Sequence, residues 1–142
     1  MIDPSFAING ANGAEWQIGG VDAPEAGRVA LKFFFNLMEH WGCTVEEQRT
    51  LLGAVSNTTF YKYKRLPEIR LPHDTLERIS YLMGIHKALS IIFSNQLERA
   101  YEWVGKPNSA APFNGQSALR YMLAGRVVDI ADVRRYLDGV RG

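Results

Sequence analysis

The run from Pro72 to Phe93 constrains the rest of the chain, because its interior carries a long helical pattern with no proline. Leu76, Ile79, Ser80 and Met83 fall at i, i+3, i+4 and i+7, one face of a 3.6-residue repeat. Ile85, Leu89 and Ile92 extend an apolar stripe beyond Gly84. As a single helix, the 22 residues would span roughly 33 Å, the width of a small domain. Gly84 is a candidate break, since glycine costs about 1 kcal/mol relative to alanine inside a helix. The stretch has enough apolar surface to pack against a short basic helix pair upstream and compact helices downstream. Its apolar residues therefore read as core.

A chain of 142 residues suits one domain, or two small lobes sharing a core. Its hydrophobic share of 46% is enough to fold without covalent staples. Cys43 is the single cysteine, which rules out an intrachain disulfide and fits a reducing cytoplasm. Residues 1–27 contain no Lys or Arg and no continuous apolar run, so no secretory leader is read. Nothing approaches the roughly 18-residue apolar length of a membrane span. The net charge of +1 hides an asymmetry. Asp3, Glu15, Asp22 and Glu25 stand in a segment without bases, whereas residues 56–70 carry Lys62, Lys64, Arg65 and Arg70 against Glu68 alone. A local basic patch on a near-neutral chain points to focused affinity for a polyanion.

Residues 1–27 are rich in Gly, Ala and Asn and read as a mobile arm in which Trp16 and Ile18 are candidate docking side chains. A first helix is expected from Arg28 to Trp41, burying Leu31, Phe34, Phe35, Met38 and Trp41, with Phe33 and Leu37 widening the stripe and Gly42 stopping it. Thr44-Val45-Glu46-Glu47 is a capping box that opens a second helix running to Leu52. Gly53-Ala54-Val55 is a turn, and Ser56 caps a third helix from Asn57 to Arg65.

Helix, short glycine turn and capped helix together make a helix-turn-helix pattern. With Phe60 and Tyr63 inward beside Thr59, the outer face holds Asn57, Thr58, Tyr61 and Arg65, with Lys62 and Lys64 at its flanks. Asn can read adenine, Arg can read guanine, and Lys and hydroxyl groups can hold phosphates. Ser56, Asn57, Thr58, Tyr61, Lys62, Lys64, Arg65 and Arg70 are therefore the candidate DNA-binding residues, with Arg70 contributing a phosphate contact from the proline-bounded connector.

Beyond the central stretch, Ser94 or Asn95 is expected to cap a helix from Gln96 to Val104. Residues 109–116 read as an ordered loop around Phe113, and Ser117 caps Ala118 to Ala124. Asp129-Ile130-Ala131-Asp132 resembles a variant cap for a last helix striped by Ile130, Val133, Leu137 and Val140.

These pieces occur in a specific order. The helix-turn-helix precedes Leu76 to Leu89, then the series Trp103, Pro107, Asn108, Phe113, Gly115, Ser117, Leu119 and Gly125, then Val127 to Gly142. The chain resembles the Xre/MbcA/ParS family of bacterial antitoxins over about residues 28 to 142. The resemblance implies an all-α fold in which an N-terminal, Xre-like helix-turn-helix packs on a C-terminal helical toxin-binding domain. It implies a division into an arm (1–27), a DNA-binding region (28–71) and a toxin-binding and dimerisation domain (72–142). It also implies a RES-domain toxin that consumes NAD as partner, coverage of that toxin's active-site entrance, double-stranded operator DNA as a second partner, and a homodimer within a larger toxin–antitoxin complex. Two departures stand out: the Leu-Gly-Ala-Val-Ser turn is a residue longer than the tightest family version, and the chain stops at Gly142 where relatives often continue.

On this reading the protein is not an enzyme, needs no cofactor or metal and touches no membrane. Candidate toxin contacts are Arg120, Tyr121, Arg134, Arg135, Tyr136 and Arg141, since Arg and Tyr suit interface anchors. Deleting Val133 to Gly142 is expected to abolish toxin neutralisation and leave DNA binding intact. His40 and Cys43 lack further ligands nearby, Asp129 and Asp132 read as helix-start residues, and no P-loop or dinucleotide fingerprint appears. The rival reading is a stand-alone helix-turn-helix repressor, which gives no reason for the Trp103 to Gly125 series.

Overall fold

A computed structural model describes residues 24–141. The arm residues Trp16 and Ile18, the remainder of residues 1–23 and Gly142 lie outside the described residues. The described residues form seven helices and no strand: α1 (Pro24–Trp41), α2 (Val45–Leu51), α3 (Asn57–Arg65), α4 (His73–Ile92), α5 (Leu97–Trp103), α6 (Ala118–Met122) and α7 (Val127–Arg141).

Helix α4 is the axis of the fold. Its most extensive partner is α7, and α1 and α5 pack on its other sides. Leu76, Ile79, Leu82, Met83, Ile85, Ala88 and Leu89 are all buried, so the helix is covered around most of its circumference. Gly84 does not divide it. A Cβ at Gly84 would lie 1.9 Å from Arg134 Nη1, so the glycine is a notch on α4 that receives the Arg134 guanidinium from α7. The backbone hydrogen bonds of α4 continue through the notch to Ile92.

Helix α1 begins four residues before the expected start, with Pro24 at a position where its missing N–H is not needed. Residues 24–27 therefore belong to this helix rather than to an arm. Its Leu31, Phe33, Phe34, Leu37, Met38 and Trp41 are buried as expected, and Phe35 is half-buried. The carboxyl end of α4 corrects a second expectation. Ser94 and Asn95 do not cap α5; they take φ of +53° and +64°, and the Asn95 N–H closes on Ser90 O at 2.7 Å. They terminate α4 in the left-handed manner. Helix α5 starts at Leu97 with no side-chain cap. The last helix also starts early: Asp129 sits inside its first turn and accepts from Arg126 N–H at 3.0 Å, capping backwards instead of preceding the helix.

His86 lies buried on α4 among aromatic rings. Its ring stacks on Tyr101 of α5 at 5.5 Å, and His40 of α1 also stacks on Tyr101 at 4.1 Å. Burial, helped by the nearby His40, lowers the His86 pKa to about 4 from the usual 6.5. The unfolded chain thus binds a proton at His86 between these two values when the folded chain does not. Stability is complete above about pH 6.5 and falls as the pH drops towards 4. Between pH 7 and pH 5 this group alone should remove about 2 kcal/mol. Chemical denaturation of the wild type and His86→Phe at both pH values checks this: the variant should lose less stability by that amount. Parallel losses would refute it.

Candidate functional site

The helix-turn-helix forms where the sequence places its caps. Thr44 Oγ1 accepts from Glu47 N–H at 3.1 Å, and Glu47 Oε1 accepts from Thr44 N–H at 2.9 Å, the two halves of a capping box. Ser56 Oγ accepts from Thr59 N–H at 3.1 Å and starts α3. Between the helices, Gly53 and Ala54 adopt φ of +105° and +60°. The Ala54 N–H donates to Arg49 O, and Arg49 Nε donates to Val55 O at 2.8 Å, so the α2 arginine holds both sides of the turn.

Ala54 is an L-residue in the left-handed region, a conformation that costs it about 1 kcal/mol. Ala54→Gly relieves that strain but adds unfolded-state freedom. A net gain of about 0.5 kcal/mol is expected, read as a rise in the denaturation midpoint; a loss would show that the Ala54 methyl packs usefully.

With the turn fixed, α3 presents its polar face outward. Phe60 and Tyr63 are buried, Thr59 is half-buried, and Asn57, Thr58, Tyr61, Lys62, Lys64 and Arg65 are exposed. Arg70 is exposed on the connector that follows. Asn57, Lys62, Arg65 and Arg70 make no side-chain hydrogen bond or ion pair with any other described residue, which leaves their donors available. Ser56 differs, because its hydroxyl is engaged by the cap and by Thr59 Oγ1. Lys64 also differs: its Nζ stands 4.8 Å over the Phe35 ring and 5.6 Å over Phe60, folding it back towards α1.

The second group of predicted residues surrounds an aromatic cluster. Phe113 is fully buried, with Tyr136, Tyr121 and Trp103 edge-on at 5.0, 5.6 and 6.0 Å. Trp103 and Tyr136 stack at 6.2 Å. Asn108 holds the loop above them: its Oδ1 accepts from Ala110 N–H, its N–H donates to Gln116 O and its carbonyl accepts from Gly115 N–H. Tyr121 donates its hydroxyl to Asp132 Oδ2 at 2.7 Å, and this hydrogen bond raises the phenol pKa. Tyr121 and Tyr136 are therefore built into the loop's foundation, and Arg134 fills the Gly84 notch while pairing with Asp138. Arg135 and Arg141 are exposed and pair with Asp132 and Asp138, respectively. Arg120 is exposed on α6 and has no ion pair among the described residues.

Two surfaces thus occupy one helical body, the basic outer face of α3 and a buttressed loop with surrounding arginines. A family model described as the antitoxin Xre-like helix-turn-helix domain matches residues 20–84. A second, described as the antitoxin Xre/MbcA/ParS C-terminal toxin-binding domain, matches residues 88–142. The chain belongs to the Xre/MbcA/ParS antitoxin family. This antitoxin is also 43% identical over 126 residues to a Sinorhizobium fredii protein named uncharacterized protein y4oB, covering 87% of this chain and 95% of that protein. The two family matches meet inside α4, so the antitoxin's head and tail share their central helix. Among the described residues, no helix is long and apolar enough to cross a membrane.

Two residues that brace these surfaces from within were not among the predicted site residues. Arg78 is buried on α4, where it donates to Asp74 Oδ2 at 2.9 Å and to Gly125 O at 3.0 Å. Arg28 of α1 donates through Nη1 to Leu66 O at the end of α3. The only local signal for Arg78 was a charge set within the apolar run, four residues after Asp74.

Proposed function

We propose that this antitoxin neutralises a RES-domain, NAD-consuming toxin by covering its active-site entrance with the C-terminal helical region, and represses its own operon through α3. The observation that carries the reading is the Trp103–Gly125 series. Trp103 meets the buried Phe113 edge-on, and Asn108 ties the loop together through Ala110, Gly115 and Gln116, within the stretch matched by the toxin-binding family model. Such a pre-ordered loop costs little entropy on docking. A homodimer places two recognition helices on a two-fold-related operator. The antitoxin acts in the cytoplasm, where such an operator lies.

Co-expression with the product of the neighbouring gene tests the reading. A stable complex, restored growth and preserved cellular NAD are expected; growth arrest despite the antitoxin would reject it. The proposed contacting residues follow from their exposure. Arg120, Arg135 and Arg141 face outward, whereas Tyr121, Arg134 and Tyr136 act from within. Alanine at all three outward positions should weaken the toxin complex by about tenfold or more without lowering the melting temperature. An unchanged affinity would move the contact elsewhere.

The deletion of Val133 to Gly142 needs a different expectation. Val133 and Leu137 are buried against α4, so that truncation opens the core and should abolish DNA binding together with neutralisation.

A further inference from the structure

Helix α1 grips the recognition helix at points along one side. Arg28 Nη1 donates to the carbonyl of Leu66, the residue that caps the carboxyl end of α3. One residue earlier, Gly27 lies so close to the connector that a Cβ would stand 2.0 Å from Ile69 O. Two turns further along α1, Phe35 meets Phe60 edge-on at 5.6 Å and carries Lys64 above its ring. The pinned backbone flanks the two arginines best placed to reach DNA. Arg65 immediately precedes Leu66, and Arg70 immediately follows Ile69.

We infer that Arg28 is a positioning residue for DNA readout, fixing through the Leu66 carbonyl the directions from which Arg65 and Arg70 leave the backbone. The inference rests on the DNA-binding reading of α3. The guanidinium is half-buried and engaged with a main-chain oxygen, at the helix end where positive charge complements the dipole. Base readout depends on side-chain roots held to within a fraction of an ångström, whereas phosphate contacts tolerate more movement. Loss of the tether should therefore damage discrimination more than attraction.

The test begins with a duplex that the full wild-type chain enriches from a randomised pool, compared with a shuffled duplex of the same composition. Arg28→Met keeps the apolar stem and removes the donor. Its preference for the selected duplex should fall on the order of tenfold, the scale of one misread base pair. Binding to the shuffled duplex and the salt dependence should stay at wild-type values. Arg28→Lys keeps the cation but loses the fork, so it should restore part of the preference; it also serves if the methionine variant melts. Preference equal to wild type in both variants overturns the inference. A salt slope smaller by about one with equal loss on both duplexes also overturns it, making Arg28 a direct phosphate contact. If the wild type enriches no duplex, the DNA-binding reading fails and takes this inference with it.

Discussion

Phe113→Ala should lower stability by about 3–5 kcal/mol and abolish toxin binding while the chain can still fold in the cold. Phe113 is fully buried, and three aromatic rings meet it edge-on. Its removal leaves a cavity walled by Trp103, Tyr121 and Tyr136, none of which can move in without abandoning another contact. Tyr121 is held by Asp132, and Tyr136 is stacked on Trp103. Edge-on aromatic pairs add about 0.5–1.5 kcal/mol each beyond burial, which argues for the upper part of the range. Phe113→Leu fills most of the volume and should cost about half as much. Thermal melts of both variants, with toxin pull-down below their transitions, separate stability from docking. A loss under about 1 kcal/mol for the alanine variant would mean that the loop stands without its centre.

The sequence announced those features whose causes are local. The Thr44–Glu47 box, the Ser56 and Ser117 caps and the inward Phe60 and Tyr63 all appear as read, because a cap or a helical face is decided within four residues. The misread features have causes that are distant in the chain. Gly84 looks like a helix break until Arg134 is seen lying in its notch, 50 residues later. Ser94 and Asn95 are good N-cap types, yet asparagine also tolerates the left-handed region, and here the pair turns left-handed and ends α4. The toxin-contact candidates were chosen by residue type, and the sequence did not show which of them face outward. Nothing local tells an outward Arg120 from an Arg134 folded against α4. Arg28 and Arg78 were missed for the same reason, since their acceptors lie at Leu66, and at Gly125 beside the local Asp74.

Arg78→Ala should cost about 3–4 kcal/mol, whereas Asp74→Ala should cost less than about 1 kcal/mol, although the two residues form one salt bridge. The asymmetry follows from burial. The Arg78 side chain is 9% exposed and that of Asp74 is 57% exposed, so water replaces the arginine for Asp74 but nothing replaces it for the carbonyls. Gly125 O accepts at 3.0 Å and Leu51 O at 3.5 Å, and both lose a charged donor. These carbonyls belong to different parts of the antitoxin: Leu51 ends the first helix of the helix-turn-helix, and Gly125 forms the turn before α7. Gly53 closes the arrangement, since a Cβ there would press on Asp74 Oδ2 at 3.1 Å and on Arg78 Nε at 3.3 Å. Loss of the guanidinium should therefore loosen the two ends together. Amide exchange at Gly53 and Gly125 should accelerate in Arg78→Ala and change little in Asp74→Ala, with denaturant melts giving the two costs. Equal costs would place the stabilisation in the ion pair itself, and acceleration at only one glycine would show that Arg78 does not bridge them.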